Sequence, residues 1–122
     1  MINEIAFVGV PVTDIPRARA FYEGALGFTK ATWSSDGPWI EYEIGGGIFG
    51  IGNYGESWKT GEGGTMVAFE CDDLQGMVRR AEEGGAKIMM PITESPICRF
   101  TILKDPDGNA IMLHKRKEGN PK

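Results

Sequence analysis

Few of the 122 residues carry groups that do covalent chemistry. There is one histidine, His114, and there are two cysteines, Cys71 and Cys98. The cysteines lack the close spacing of a metal clip, and each falls inside an apolar run. Both therefore read as buried free thiols of a reducing compartment rather than as a disulfide. No serine or cysteine can be placed beside His114 from the sequence, so no nucleophile with its own base is legible. The stretches "GGG" (45–47) and "GEGG" (61–64) have neither the spacing nor the strand-to-helix setting of a phosphate loop. What remains are the carboxylates Glu41, Glu43 and Glu70, with Arg99, and the aromatics Trp33, Trp39, Tyr54 and Trp58. An aromatic-rimmed acidic surface suits a flat organic ligand, held by stacking, or a cationic one, drawn to ring faces. The bland reading stands beside it: solvated carboxylates, rings packed in a core or a dimer seam, and a lone rim histidine.

The bulk numbers narrow the setting. This length fits one domain with a sizeable core. The net charge of −4 argues against a nucleic-acid partner, and Lys115-Arg116-Lys117 reads as a solvated end. No apolar run approaches the length of a membrane span. Asn3 and Glu4 interrupt the start, which does not read as a signal peptide, so a cytoplasmic protein is expected.

The elements that must position these groups come in two similar sets. Ile5 to Val12 is a nearly continuous apolar run, read as a strand buried on both faces. Asp14 can cap a helix with Pro16 in its first turn, and Ile15, Ala18, Phe21, Tyr22, Ala25 and Leu26 follow at helical spacing up to Gly27. Strands are predicted at about 28–34, 39–44 and 48–53, with "SDGP" and "GGG" as turns. A glycine-rich link (Gly55, Gly61, Gly63, Gly64) leads to a second strand, 65–71. Asp72 or Asp73 then caps a helix carrying Leu74, Met77, Val78 and Ala81, and Gln75 would complete a capping box with Asp72. Strands at about 87–92, 97–104 and 110–115 follow, the last one entered through the turn Asp105-Pro106-Asp107-Gly108. The order strand, helix, three strands thus occurs twice, offset by about sixty residues. One helix on one face of such a sheet leaves the other face bare, so the architecture predicts a cleft and a dimer.

Three stretches carry a family resemblance: "VPVTDIPRARAFYEGALGF" (10–28), "MVAFECDDL" (66–74) and "DPDGNAIML" (105–113). They resemble the vicinal oxygen chelate superfamily of glyoxalases, bleomycin-resistance proteins and extradiol dioxygenases. The resemblance implies an α+β fold of two βαβββ modules, at about 4–54 and 65–116, within one domain (1–118) followed by a flexible tail (119–122). In metal-dependent members the first and last strands of each module supply His, Gln or Glu ligands. The motifs place those four slots at Phe7, Gly50, Met66 and Met112. Phenylalanine and glycine offer no side-chain donor, and a thioether is a neutral, soft one, poor for hard dications. A chain without metal or other cofactor is expected.

Alternation along the strands then assigns the cleft face. Ile5, Phe7 and Gly9 share it with Ile48, Gly50 and Gly52, with Met66, Ala68 and Glu70, and with Ala110, Met112 and His114. Trp39, Glu41 and Glu43 are expected to look into the cleft, as are Arg99, Thr101 and Leu103, with Phe100 and Ile102 on the helix side. The ligand-binding set is therefore Phe7, Trp39, Glu43, Gly50, Met66, Glu70, Arg99, Met112 and His114. The loop "GIGNYGESWKTGEGG" (50–64) could fold over it. The first reading is a homodimer that binds, and in the bleomycin-resistance manner sequesters, a small aromatic or cationic molecule without bond chemistry. The alternative is a lyase, isomerase or dioxygenase with displaced metal ligands, or with Glu70 and His114 as acid and base. A third is a degenerate dimer whose cleft is filled by its own side chains.

Overall fold

Two aspartates start the two helices. Asp14 accepts from the Arg17 amide at 3.0 Å and opens α1 (Ile15–Arg19), and Asp73 accepts from the Gly76 amide at 3.0 Å and opens α2 (Leu74–Glu83). Asp73 caps α2 alone, and no Asp72–Gln75 box forms. The computed structural model describes Met1, residues 4–61 and residues 65–119. Gly63 and Gly64 of the link, with the last three tail residues, lie outside them. Past Arg19 the first helix widens into a π-helical segment, Ala20–Ala25, which buries Phe21 and Tyr22.

The strands are β1 (Val8–Pro11), β2 (Trp39–Ile44), β3 (Gly47–Gly52), β4 (Val67–Glu70), β5 (Lys87–Glu94), β6 (Cys98–Lys104) and β7 (Ala110–Arg116). They form a sheet ordered β1-β3-β2 and a second ordered β4-β7-β6-β5. In each, the strand before the helix pairs in parallel with the module's last strand, and the other neighbours are antiparallel. The internal repeat is visible in backbone detail. Gly46 and Gly108, which open the last strand of each module, both hold a positive φ, 86° and 91°, that a side chain would strain.

The expected strand at 28–34 does not form beyond a single bridge, Lys30 with Tyr42. The chain turns at Ala31–Ser34, and the Ser34 hydroxyl takes the Glu41 amide at 2.9 Å, supplying from a side chain what a ladder carbonyl would have supplied. β1 is shorter than its apolar run. Val10 and Val12 are buried, but Ile5 and Phe7 are exposed, so the run is not covered on both sides.

The helix-side faces of both sheets share one core. Tyr22, Ile40, Tyr42 and Ile51 pack with Ile111, Leu113 and Leu103, all essentially inaccessible to water. Phe69 of the second module meets Phe28 and Phe49 of the first at ring distances of 5.1 and 5.2 Å. A polar latch joins the modules at the other end. Asp107 Oδ1 accepts from the Thr13 amide (2.9 Å), the Thr13 hydroxyl (2.6 Å) and the Arg17 guanidinium (2.6 Å). Asp105 Oδ2 accepts from the Tyr22 hydroxyl (2.7 Å) and from the Asn109 amide, whose nitrogen also donates to the Pro11 carbonyl. The "DPDGN" turn therefore ends one module and clamps the start of the other. Burial raises the Asp105 carboxyl above its usual range, and its hydrogen bonds with Asn109 and Tyr22 offset only part of that.

Candidate functional site

The sheet faces turned away from the helices are the open surfaces, and each carries a distinct group. On the first sheet the floor is glycine. Gly9 pairs with Gly50, and Gly50 with Glu41 on its other side; Gly52 pairs with Trp39. The Trp39 indole leans across this floor. A Cβ at Gly50 would collide with its ring, and one at Gly52 would come within 2.8 Å of it. Trp58 lies beside Trp39 at 6.3 Å between ring centroids, and Phe7 meets Trp39 edge-on at 5.2 Å.

Glu41 fixes the orientation of two indoles. Its Oε2 accepts from Trp39 Nε1 at 2.8 Å and its Oε1 from Trp33 Nε1 at 2.6 Å. Trp33, Pro38, Trp39, Glu41 and Tyr54 border an open cavity of about 380 Å³. Such a volume is at the small end of sites for organic ligands. A carboxylate that has accepted two bonds still has lone pairs and a negative charge to offer.

The second sheet presents residues in cross-strand rows. Ala68, Met112, Ile102 and Met90 stand opposite one another across four strands, and the next row is Glu70, His114, Phe100 and Thr93. Between these rows β5 bulges, and the buried Thr101 hydroxyl answers the irregularity by donating to the Met90 carbonyl at 2.6 Å. Glu70 and His114 touch: His114 Nδ1 lies 2.5 Å from Glu70 Oε1. The other carboxylate oxygen accepts from the Arg116 amide at 2.8 Å. Partial burial pushes the Glu70 carboxyl up, but the Arg116 amide, His114 and the Arg116 charge outweigh it and hold the group below its usual range.

These registers overturn one assignment. Residues directly opposite in an antiparallel pair share a face. Phe100 is opposite His114 and Ile102 opposite Met112, so both lie on the open face, while Thr101 and Leu103 face Leu113 and Ile111 in the core. Arg99 lies with Thr101 on the side away from His114 and ion-pairs at 3.7 Å with Glu94; it is not part of the open face. The other expected residues have the expected sides. Phe7, Trp39 and Gly50 come together, with Glu43 exposed further along β2. Glu70, His114 and Met112 come together on the other sheet, with Met66 exposed just before β4. Within the protomer the two groups do not merge. The cavity beside Trp39 and the one bordered by Ala68 and Glu70 have no residue in common. Glu41, Trp33 and Trp58 were not in the expected binding set. The alternate glycines Gly50 and Gly52 were the available signal that a large ring lies over them.

Residues 4–113 match the family described as Glyoxalase/Bleomycin resistance protein/Dioxygenase superfamily. The chain belongs to this superfamily. No curated protein matches it. Among solved structures, a glyoxalase/bleomycin resistance/dioxygenase family enzyme from Burkholderia phytofirmans PsJN superposes with a TM-score of 0.79 at 18% identity, over 93% of this chain and 98% of that one. The antibiotic-binding protein TnmS3 from Streptomyces sp. CB03234 gives 0.75 at 23% identity, over 95% and 98%. The fosfomycin resistance protein FosX from Mesorhizobium loti gives 0.72 at 18% identity, over 97% and 96%. At these identities the likeness is one of fold.

A metal of the kind glyoxalase-superfamily members use does not fit the residues in its place. The four positions that the resemblance assigns to ligands are Phe7, Gly50, Met66 and Met112, and the Trp39 ring fills the space a donor side chain at Gly50 would need. Among the described residues, no three of His, Cys, Asp and Glu come close enough to share an ion. Glu70 and His114 form a pair, and among the described residues no third donor joins them.

Proposed function

We propose that this superfamily member is a metal-independent binding protein. It takes a flat, apolar or cationic small organic molecule reversibly on the tryptophan-bearing face of the first sheet. The observation that carries this reading is the Trp33–Glu41–Trp39 clamp. Two large rings are held in fixed orientation by one carboxylate, and one of them, Trp39, lies over a floor of glycine. Pre-oriented rings lose little freedom on binding, and the carboxylate favours a positive charge stacked between or beside them. The fold likeness to an antibiotic-binding protein supports the same class of ligand, as does the likeness to a drug-resistance protein. The working form in this reading is a homodimer, because each sheet leaves an open face with exposed apolar side chains, among them Phe7, Met66 and Met90. The two free cysteines, both buried, suit a reducing cytoplasm.

Titration with acridine orange, a flat cation, followed by tryptophan emission and calorimetry, tests the reading. Saturable binding that Trp39→Ala weakens by about ten-fold or more supports it. Unchanged affinity in that variant overturns the stacking argument, and loss of wild-type binding on adding a chelator overturns metal independence.

A further inference from the structure

On the second sheet, away from the tryptophans, the row formed by Glu70, His114 and Phe100 has the parts of a proton-transfer site. His114 Nδ1 is engaged by Glu70, and Glu70 is itself fixed by the Arg116 amide. A carboxylate on Nδ1 selects the tautomer that carries its proton there, which leaves Nε2 as the free lone pair. Among the described residues Nε2 has no hydrogen-bond partner, and the side chain keeps 18% of its surface accessible. The surroundings are one-sided. Phe100 stands beside the imidazole across β6, and the neighbouring row, Ala68, Met112 and Ile102, is wholly apolar. The charged groups facing His114 are Glu70 on β4 and Arg116 further along β7; Arg99 and Lys115 lie on the other side of the sheet.

We propose that the Glu70–His114 pair is a general-base dyad, which abstracts a proton from a neutral, apolar carbon acid lying on the Met112–Ile102 row. His114 Nε2 takes the proton and is the catalytic residue. Glu70 is a positioning residue that orients the ring and balances the charge that arises on it. The apolar row holds the body of the substrate and excludes water from the developing imidazolium. This site is separate from the Trp39 face, so the two readings stand or fall independently.

5-Nitrobenzisoxazole serves as the probe, because its ring opening needs only a base. The C3–H proton moves to Nε2, the C–H electron pair becomes the third carbon–nitrogen bond of the nitrile, and the N–O bond breaks with its pair going to oxygen, which gives the cyanophenolate as a single product. The full-length protein is expected to accelerate phenolate release over buffer, and His114→Ala to lose about ten-fold or more of the acceleration. Free imidazole should restore part of it above an imidazole-only blank, a rescue that damage to the fold would not give. Glu70→Gln should lower the rate several-fold while circular dichroism stays that of the wild type. No acceleration by the wild type, an undiminished rate in His114→Ala, or a loss that imidazole does not restore overturns the proposal.

Discussion

The indole of Trp39 occupies the space that any side chain at Gly50 would need. One residue is small so that the other, two strand positions away on a neighbouring strand, can lie flat on the sheet. The pairing leaves no room for a donor side chain at position 50. It also makes a prediction. Gly50→Ala forces the ring off its floor, breaks its bond to Glu41, and costs about 1–3 kcal/mol as an overpacked site. Urea unfolding and near-ultraviolet circular dichroism measure both effects. A variant indistinguishable from wild type in both would mean that the ring does not lie there.

Glu41→Gln tests the clamp without removing bulk. The carboxylate accepts from two indole N–H groups at once, and an amide has only one oxygen to accept with. Either Trp33 or Trp39 must lose its bond. Tryptophan emission should shift to the red and affinity for a flat cation should fall several-fold, with global stability changed by about 1 kcal/mol or less. Emission that does not move would show that the two rings hold their places without Glu41.

How much of this was legible in the sequence follows from the range of the forces involved. The helix caps Asp14 and Asp73 and the repeated turn glycines Gly46 and Gly108 act within a few residues, and they could be read directly. Faces were legible where a strand is apolar on one side only, as in β2, where Ile40 and Tyr42 alternate with Trp39 and Glu41. They were not in β6, whose Phe100, Ile102 and Leu103 put apolar groups on both sides. Only the pairing of Leu103 with Ile111, set by the "DPDGN" turn, decides which side meets the core. The missing strand at 28–34 has the same kind of cause, because the Ser34 hydroxyl reaching the Glu41 amide is a tertiary event. The Trp39 position required both the β2–β3 register and a side-chain rotamer, neither of which any local pattern encodes.

Tyr22→Phe probes the latch between modules. It deletes a 2.7 Å hydrogen bond between two buried groups and leaves Asp105 Oδ2 with Asn109 as its side-chain donor. The expected loss is about 1–3 kcal/mol, since a buried acceptor forfeits a partner while the ring packing stays. A single cooperative transition should persist in urea, because the core that both modules share is untouched. A variant as stable as wild type would show that Asp105 draws nothing from Tyr22.

Acid should weaken the fold partly through Glu70. Its carboxyl titrates lower in the folded protein than in the unfolded chain, where a glutamate titrates at about 4.3. The folded form therefore binds fewer protons in that range. Its contribution is whole above the unfolded value and is lost as pH falls through the folded one. Glu70→Gln removes the term, so wild type should exceed the variant at neutral pH and the gap should close as pH falls through the folded value. The term is small, because the side chain is partly exposed and water screens it. Urea midpoints across that range read it out, and a gap that widens on acidification would reverse the sign argued here.

The last prediction concerns what covers the second sheet. Met112 stands between Ala68 and Ile102 in an apolar row that continues to Met90, itself 40% exposed in the protomer. A row of this kind costs free energy while it faces water, and a second copy of the chain is the partner that the repeated modules supply, since each chain has two open faces. Met90→Glu places a charge at the outer end of the row, beyond the Met112–Ile102 stretch. If a second copy covers that end, the charge is buried without a partner and association fails, while the helix-side core, which β5 meets through Ile88 and Ile92, is unaffected. Sedimentation at micromolar concentration should find the wild type dimeric and Met90→Glu monomeric, with unchanged circular dichroism. A wild type that stays monomeric would remove the homodimer from the proposed function.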